Sequence, residues 1–178
     1  MSNNIQVINL PNTLKKKASK GYGLSAGIAA ARVADAIAEL APNFDIILKS
    51  TEEELFVESH AFEEAYKALT PMEKNKAIER IAALSYRIEE AAGTFGYPLV
   101  GEICCKLCIF IKKNFMNVGV CAEKSRSCEI MMVEAIRIHA DVIHMALQLP
   151  EGASGDYEDI RNKVIPGIDA IHKRFSLC

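Results

Sequence analysis

The stretch "ALSYRIEEAAGTFGYPLVGEICCKLCIFI", residues 83–111, decides how this chain folds. Apolar residues recur at three- and four-residue spacing on both sides of residues 93–98, which predicts a helix, a tight corner and a second helix. Gly93 and Gly96 punctuate the chain, and Pro98 suits the first position of the helix that follows. The two arms make an antiparallel helical hairpin. Upstream, Thr70-Pro71-Met72-Glu73 is a helix start: Thr70 caps, Pro71 takes the first helical position and Glu73 reaches back in a capping box. The first arm therefore runs from there to about Gly93, and the second from Pro98 to near Asn114.

Working outward, "LSAGIAAARVADAIAELAP" carries Ile28, Ala31, Val33, Ala34, Ile37 and Leu40 at helical spacing, with Ser25 as N-cap and Pro42 as the stop. A further helix is expected over about 45–69, with Ile46, Ile47, Leu55, Phe56, Phe62 and Tyr66 turned inward and an acidic, solvated outer face. After the connector "NFMNVGVCAEK", with Gly119 in its middle, a long helix over about 123–149 places Ile130, Val133, Ile136, Ala140, Ile143 and Leu147 along one stripe. "PEGASGDY" is a break, and a last helix from about Tyr157 should kink at Pro166-Gly167. Only "IQVIN" reads as a strand, and a lone strand has nothing to pair with. The expected fold is all-α: an up-down antiparallel bundle with additional terminal helices, one helical domain over 23–178 behind an N-terminal arm, 1–22.

Composition narrows the function. The chain has 178 residues, 50% hydrophobic and 25% charged, the make-up of one ordered domain. A formal charge of −2 gives no bulk reason for nucleic-acid binding. No stretch approaches the roughly 18 apolar residues of a spanning helix, so no membrane insertion is expected. The N-terminal residues carry their charges after their apolar positions, unlike a secretory signal, and the six cysteines then read as reduced thiols in the cytoplasm.

The corner and its helices carry a resemblance. Residues 72–147 resemble the histidine-containing phosphotransfer (Hpt) proteins of bacterial two-component signalling, in particular a subgroup whose hairpin reads His-x-x-basic-Gly and then Gly-Thr-Phe-Gly-Tyr-Pro. Gly93, Thr94, Phe95, Gly96, Tyr97 and Pro98 match that corner letter for letter, and Leu99, Ile103 and Leu107 follow at helical spacing. The resemblance implies a four-helix core and, as partner, a response-regulator receiver domain or a histidine kinase. It also implies a phosphoacceptor seven residues before Gly93, where this chain has Tyr86; the family's basic residue is Glu89 and its glycine is Glu90.

Each departure has a physical meaning. Imidazole is a nitrogen nucleophile that titrates near neutrality, whereas a phenol, with a pKa of about 10, is mostly protonated there. Glu89 repels a phosphoryl group that a base would attract, and Glu90 adds bulk and charge where a glycine leaves room. The expectation is binding without phosphotransfer or other catalysis, through a face of Ala83, Tyr86, Glu89 and Glu90. At about 100° per residue, Ile78, Ile81, Ala82, Ser85, Glu89 and Ala92 share one side and Tyr86 stands at its edge, so Glu89 needs a partner such as Arg80, Arg87 or Lys106.

Plainer readings stand beside these. Tyr86 also reads as a boundary tyrosine capping the core. Cys104 and Cys108, one turn apart, suit a metal only with a second ligand pair, which the sequence lacks, so they read as small core residues and neither metal nor cofactor is expected. His139 and His144 are alternative phosphoacceptors or packed histidines; His60 sits among Glu58, Glu63 and Glu64, and His172 suits a helix C-terminus as a cation. "LKKKASK" offers an electrostatic assist at most. A helical structural or small-ligand-binding protein that kept only the scaffold is the remaining alternative.

Overall fold

The computed structural model describes residues 26–116, 126–148 and 154–175. They form α1 (Ala26–Ala65), α2 (Pro71–Thr94), α3 (Pro98–Ile111) with a π-helical turn (Lys112–Met116) at its end, α4 (Arg126–Leu147) and α5 (Ser154–Phe175). The protein is an all-α helical bundle, with no strand among the described residues. "IQVIN", Ser25, the lysine-rich stretch and Gly119 lie outside the described residues.

The chain divides into two compact units, residues 1–40 and 41–178. The described part of the first is the opening of α1, where Ile28, Val33 and Leu40 are all exposed. Pro42 does not end this helix; α1 continues through it for 40 residues in all. Proline removes one helical hydrogen bond and crowds the carbonyl four residues back. Ala38 and Pro42 are both exposed, so water can take up the freed carbonyl.

In the second unit, side-chain pairs fix the topology. Arg80 of α2 bonds Glu54 of α1, while Tyr97, beyond the end of α2, bonds Asp45, so α1 and α2 run antiparallel. Ser85 to Cys104 and Ala82 to Cys108 make α2 and α3 antiparallel. His144 to Glu52, with Tyr66 to Glu129, does the same for α1 and α4. Arg161 to Glu102 and Lys106 to Asp169 make α5 parallel to α3. The four helices from α1 to α4 thus alternate in direction, and α5 packs on α3 and α4.

One apolar cluster fills the interior, with Leu55, Ile81, Ile88, Ile103, Leu107, Ile136 and Ile143 fully buried. Leu55 and Phe62 on α1, with Tyr66 just past its end, face this core as expected, Phe56 is half-buried, but Ile46 and Ile47 are 68% and 50% exposed. The inward stripe is instead Leu48, Thr51, Glu52, Leu55, Ser59 and Phe62, rotated from the expected one. The acidic face is accordingly not simply solvated. Glu52 is buried, Glu54 and Glu58 hold Arg80, and Glu63 holds Arg137 of α4. On α4 the stripe from Val133 to Leu147 is buried, whereas Ile130 is exposed. α5 runs unbroken through Pro166, held on its far side by buried Ile168 and Phe175.

Local chemistry sets the hairpin. Thr70 adopts an extended cap conformation, its hydroxyl accepts from the Glu73 backbone, and the Glu73 carboxylate accepts from the Thr70 backbone at 2.8 Å. At the other end, Phe95 N–H bonds Ala91 and Tyr97 N–H bonds Ala92 at 3.0 Å across Gly96, whose φ is 88°. The Tyr97 bond closes the helix end over a left-handed residue, a conformation that favours glycine. Phe95 stacks on Phe44 of α1 with ring centroids 4.0 Å apart, and the Tyr97 hydroxyl donates to Asp45 at 2.7 Å. The π-helical turn is stitched by Asn114, whose buried side chain donates to the Phe110 carbonyl at 3.0 Å.

The two corner glycines should respond oppositely. Gly93 is helical and a Cβ there meets nothing, so Gly93→Ala should raise stability by about 0.5–1 kcal/mol. Gly96→Ala should lower it by about 1–2 kcal/mol because of its positive φ. Urea unfolding of the two variants reads both signs.

Candidate functional site

The outward side of the α2–α3 hairpin brings the expected residues together. Ala83, Tyr86 and Glu90 are exposed on successive turns of α2, and Tyr86 shows 55% of its surface. Its neighbours Ser85 and Ile88 are fully buried, which locks the helix in a rotation that leaves the phenol outside. The Glu90 carboxylate one turn on, by hydrogen bonding first and then by its charge, raises the phenol above its ordinary value. A phenol held in its protonated form beside a carboxylate is a poor acceptor for a phosphoryl group.

Glu89 is half-buried at the α2–α3 seam, and its partner is not one of the expected cations. Arg80 is engaged by Glu54 at 2.8 Å and Glu58 at 3.4 Å, and Lys106 by Asp169 at 2.5 Å. Glu89 instead lies beside the Cys105 thiol, whose titration its carboxylate affects. Burial pushes that thiol up, and the carboxylate pushes it further. Cys108, whose sulfur lies 3.9 Å from the Ala82 carbonyl, is also raised by burial, and buried Cys104 is raised far more. These sulfurs are thiols rather than metal-binding thiolates at neutral pH. Among the described residues no three histidine, cysteine or acidic side chains converge as a metal site needs.

Sequence reasoning missed two members of this face. Cys105 joins it through Glu89, and Ile109, one turn further along α3, is 54% exposed. The wheel of α3 carried the signal, because both residues fall opposite the buried Ile103, Leu107 and Ile111. Gly93 to Pro98 serve as the corner that sets the angle of the two arms, with Thr94 bonding back to the Glu90 carbonyl.

The histidines lie elsewhere. His139 is fully buried; its Nδ1–H donates to the Ala135 carbonyl at 2.6 Å, which leaves Nε2 to accept from the Nε2–H of His172 at 3.0 Å. Both rings rest on Phe110. His172 is therefore not the helix-end cation that its position suggests: burial first, then Lys106, pushes it down toward the neutral form. His144 bonds Glu52 at 2.9 Å and Gln148 at 2.7 Å, and His60 bonds Asp141 at 2.8 Å, so each bridges α1 and α4.

Comparison with protein-family models, curated proteins and solved structures finds no match for this chain.

Two outcomes follow from these environments. Glu89→Gln should speed alkylation of Cys105 by iodoacetamide at pH 7.5, because removing the carboxylate frees thiolate; peptide mass spectrometry resolves Cys105 from its neighbours. Burial lowers His139 to about 4, so the fold holds its neutral form. Stability from this group is complete above the unfolded value near 6.5 and is lost as the pH falls toward 4, by on the order of 3 kcal/mol. Urea midpoints between pH 7 and pH 4 should show this decline, and His139→Gln should flatten it.

Proposed function

We propose that this chain is an Hpt-like signalling protein of a bacterial two-component pathway that acts by binding. Its partner is a response-regulator receiver domain or a histidine kinase, docked on the α2–α3 face, and no phosphate passes through position 86. On this reading the protein works in the cytoplasm and is not an enzyme.

The observation that carries the reading is the contrast within one hairpin. The corner at residues 93–98, with Gly96 at a φ of 88°, keeps the two arms in register. The residue in the phosphoacceptor slot stands exposed, yet it is a phenol beside the Glu90 carboxylate, which raises it above its ordinary value. A contact surface needs exposure and apolar area, which Tyr86, Ala83 and Ile109 supply; phosphotransfer needs a reactive nitrogen, which the face lacks.

Phosphotransfer through another histidine is the competing reading. His139 is fully buried with both ring nitrogens engaged, so it meets no phosphodonor without opening the bundle. His144 is more accessible, and it is the residue on which that alternative stands.

The test is a phosphotransfer and binding assay with purified histidine kinases and phosphorylated receivers from the same source. The expected outcome is saturable binding without labelling, with Tyr86→Ala weakening binding about tenfold while leaving the fold intact. Acid-labile label that disappears in His144→Gln would replace this reading with the alternative. Absence of binding to every kinase and receiver would overturn both.

A further inference from the structure

A second concave feature lies away from the docking face. The middle of α1, Tyr97 at the corner and the last turn of α4 enclose an open cleft of about 840 Å³, within the roughly 300–1,000 Å³ of small-molecule sites. We propose that this cleft binds a small organic cation, a protonated amine carried on an apolar body. The inference is independent of receiver or kinase docking and gives the protein a ligand site in addition to its partner surface.

The anchor is Glu52. It is only 4% exposed, one carboxylate oxygen accepts from His144 Nδ1 at 2.9 Å, and no described residue donates to the other. That second oxygen is not sealed inside the protein, and Glu52 lines the cleft, so the cleft is its way out. His144 is fixed from its far side by Gln148 and braced against the Phe56 ring, centroids 4.8 Å apart. The carboxylate is therefore held in place before any ligand arrives, which reduces the ordering cost of binding.

Charge and walls select the ligand class. Glu53 adds a second carboxylate at the rim, while Lys49, the lysine of the lining, is tied to Asp45 at 2.7 Å. The remaining field is negative, and an anion is repelled. A neutral apolar molecule would cover the Glu52 oxygen and give it no donor, a costly arrangement. A metal ion lacks ligands, since no three suitable side chains converge among the described residues. An ammonium group satisfies the oxygen by a charge-assisted hydrogen bond, and Phe56, Tyr97 and Leu147 give an apolar body its surface. Burial already pushes the Glu52 carboxyl up, and a cation relieves that penalty.

Phenethylamine is the probe, with 2-phenylethanol and phenylacetate as neutral and anionic counterparts of similar shape. Titrated into ¹⁵N-labelled full-length protein, the amine should produce saturable amide shifts at Glu52, Glu53, Tyr97 and Gln148. The alcohol should bind at least about tenfold more weakly, and the acid should not bind. Glu52→Gln should reduce amine affinity about tenfold or more. Because Glu52 is buried against His144, a second variant guards against a folding defect: Val57→Lys places a cation on a rim position that is 59% exposed and should abolish binding. Equal affinity for amine and alcohol, no saturable shift at the cleft amides, or unchanged amine binding in folded Val57→Lys would each overturn the proposal.

Discussion

The Ser85 hydroxyl crosses from α2 to the Cys104 carbonyl of α3 at 3.1 Å, and the rest of the second unit is arranged around the closeness that this bond requires. Two helices come this near only where their facing residues are small. Ser85 and Cys104 are fully buried, and a Cβ on Gly101 would lie 3.7 Å from that of Ala92, an ordinary contact that leaves no room for more. With the seam fixed, the larger residues of both helices, Ile81, Ile88, Ile103 and Leu107, have one direction in which to bury. Tyr86, Glu90 and Ile109 are left on the opposite side by the same geometry.

The seam between α1 and α4 has a different character. Glu52 meets His144, His60 meets Asp141, and Arg137 joins Glu63 to Asp141. Apolar contacts from Leu55 and Phe62 lie beneath these pairs. One face of the bundle is thus closed by small residues at short range, while another is closed by a ladder of titratable groups. The cleft opens at one end of that ladder, where Glu52 has more hydrogen-bonding capacity than the protein itself uses.

Much of this was legible in the sequence because it is local. The capping box needs Thr70 and Glu73 three residues apart, the corner needs glycine at Gly96, and the exposure of Tyr86 follows from its angle to Ile81, Ser85 and Ile88. The rotation of α1 was not legible: Ile46 and Ile47 are more apolar than Thr51 and Glu52, yet the latter face inward because Ile47 supplies a carbonyl for Thr51 and α4 supplies His144 for Glu52. Pro42 marks a helix end in a local reading, yet α1 passes through it where Ala38 and Pro42 face solvent. The Cys105 thiol beside Glu89 and the His172 ring bonded to His139 lie on other helices, so spacing along one helix says nothing of them.

The corner also bears on the order in which the chain gains structure. Ser85 meets Cys104 across 19 residues and Cys108 meets Ala82 across 26, whereas the His60 and His144 bridges span 81 and 92. Closing the longer loops costs about 1 kcal/mol more in chain entropy than closing the shorter ones. The hairpin that presents Tyr86, like the neighbouring α1–α2 pair whose Arg80–Glu54 contact spans 26 residues, therefore closes at a lower entropic cost than the α1–α4 seam.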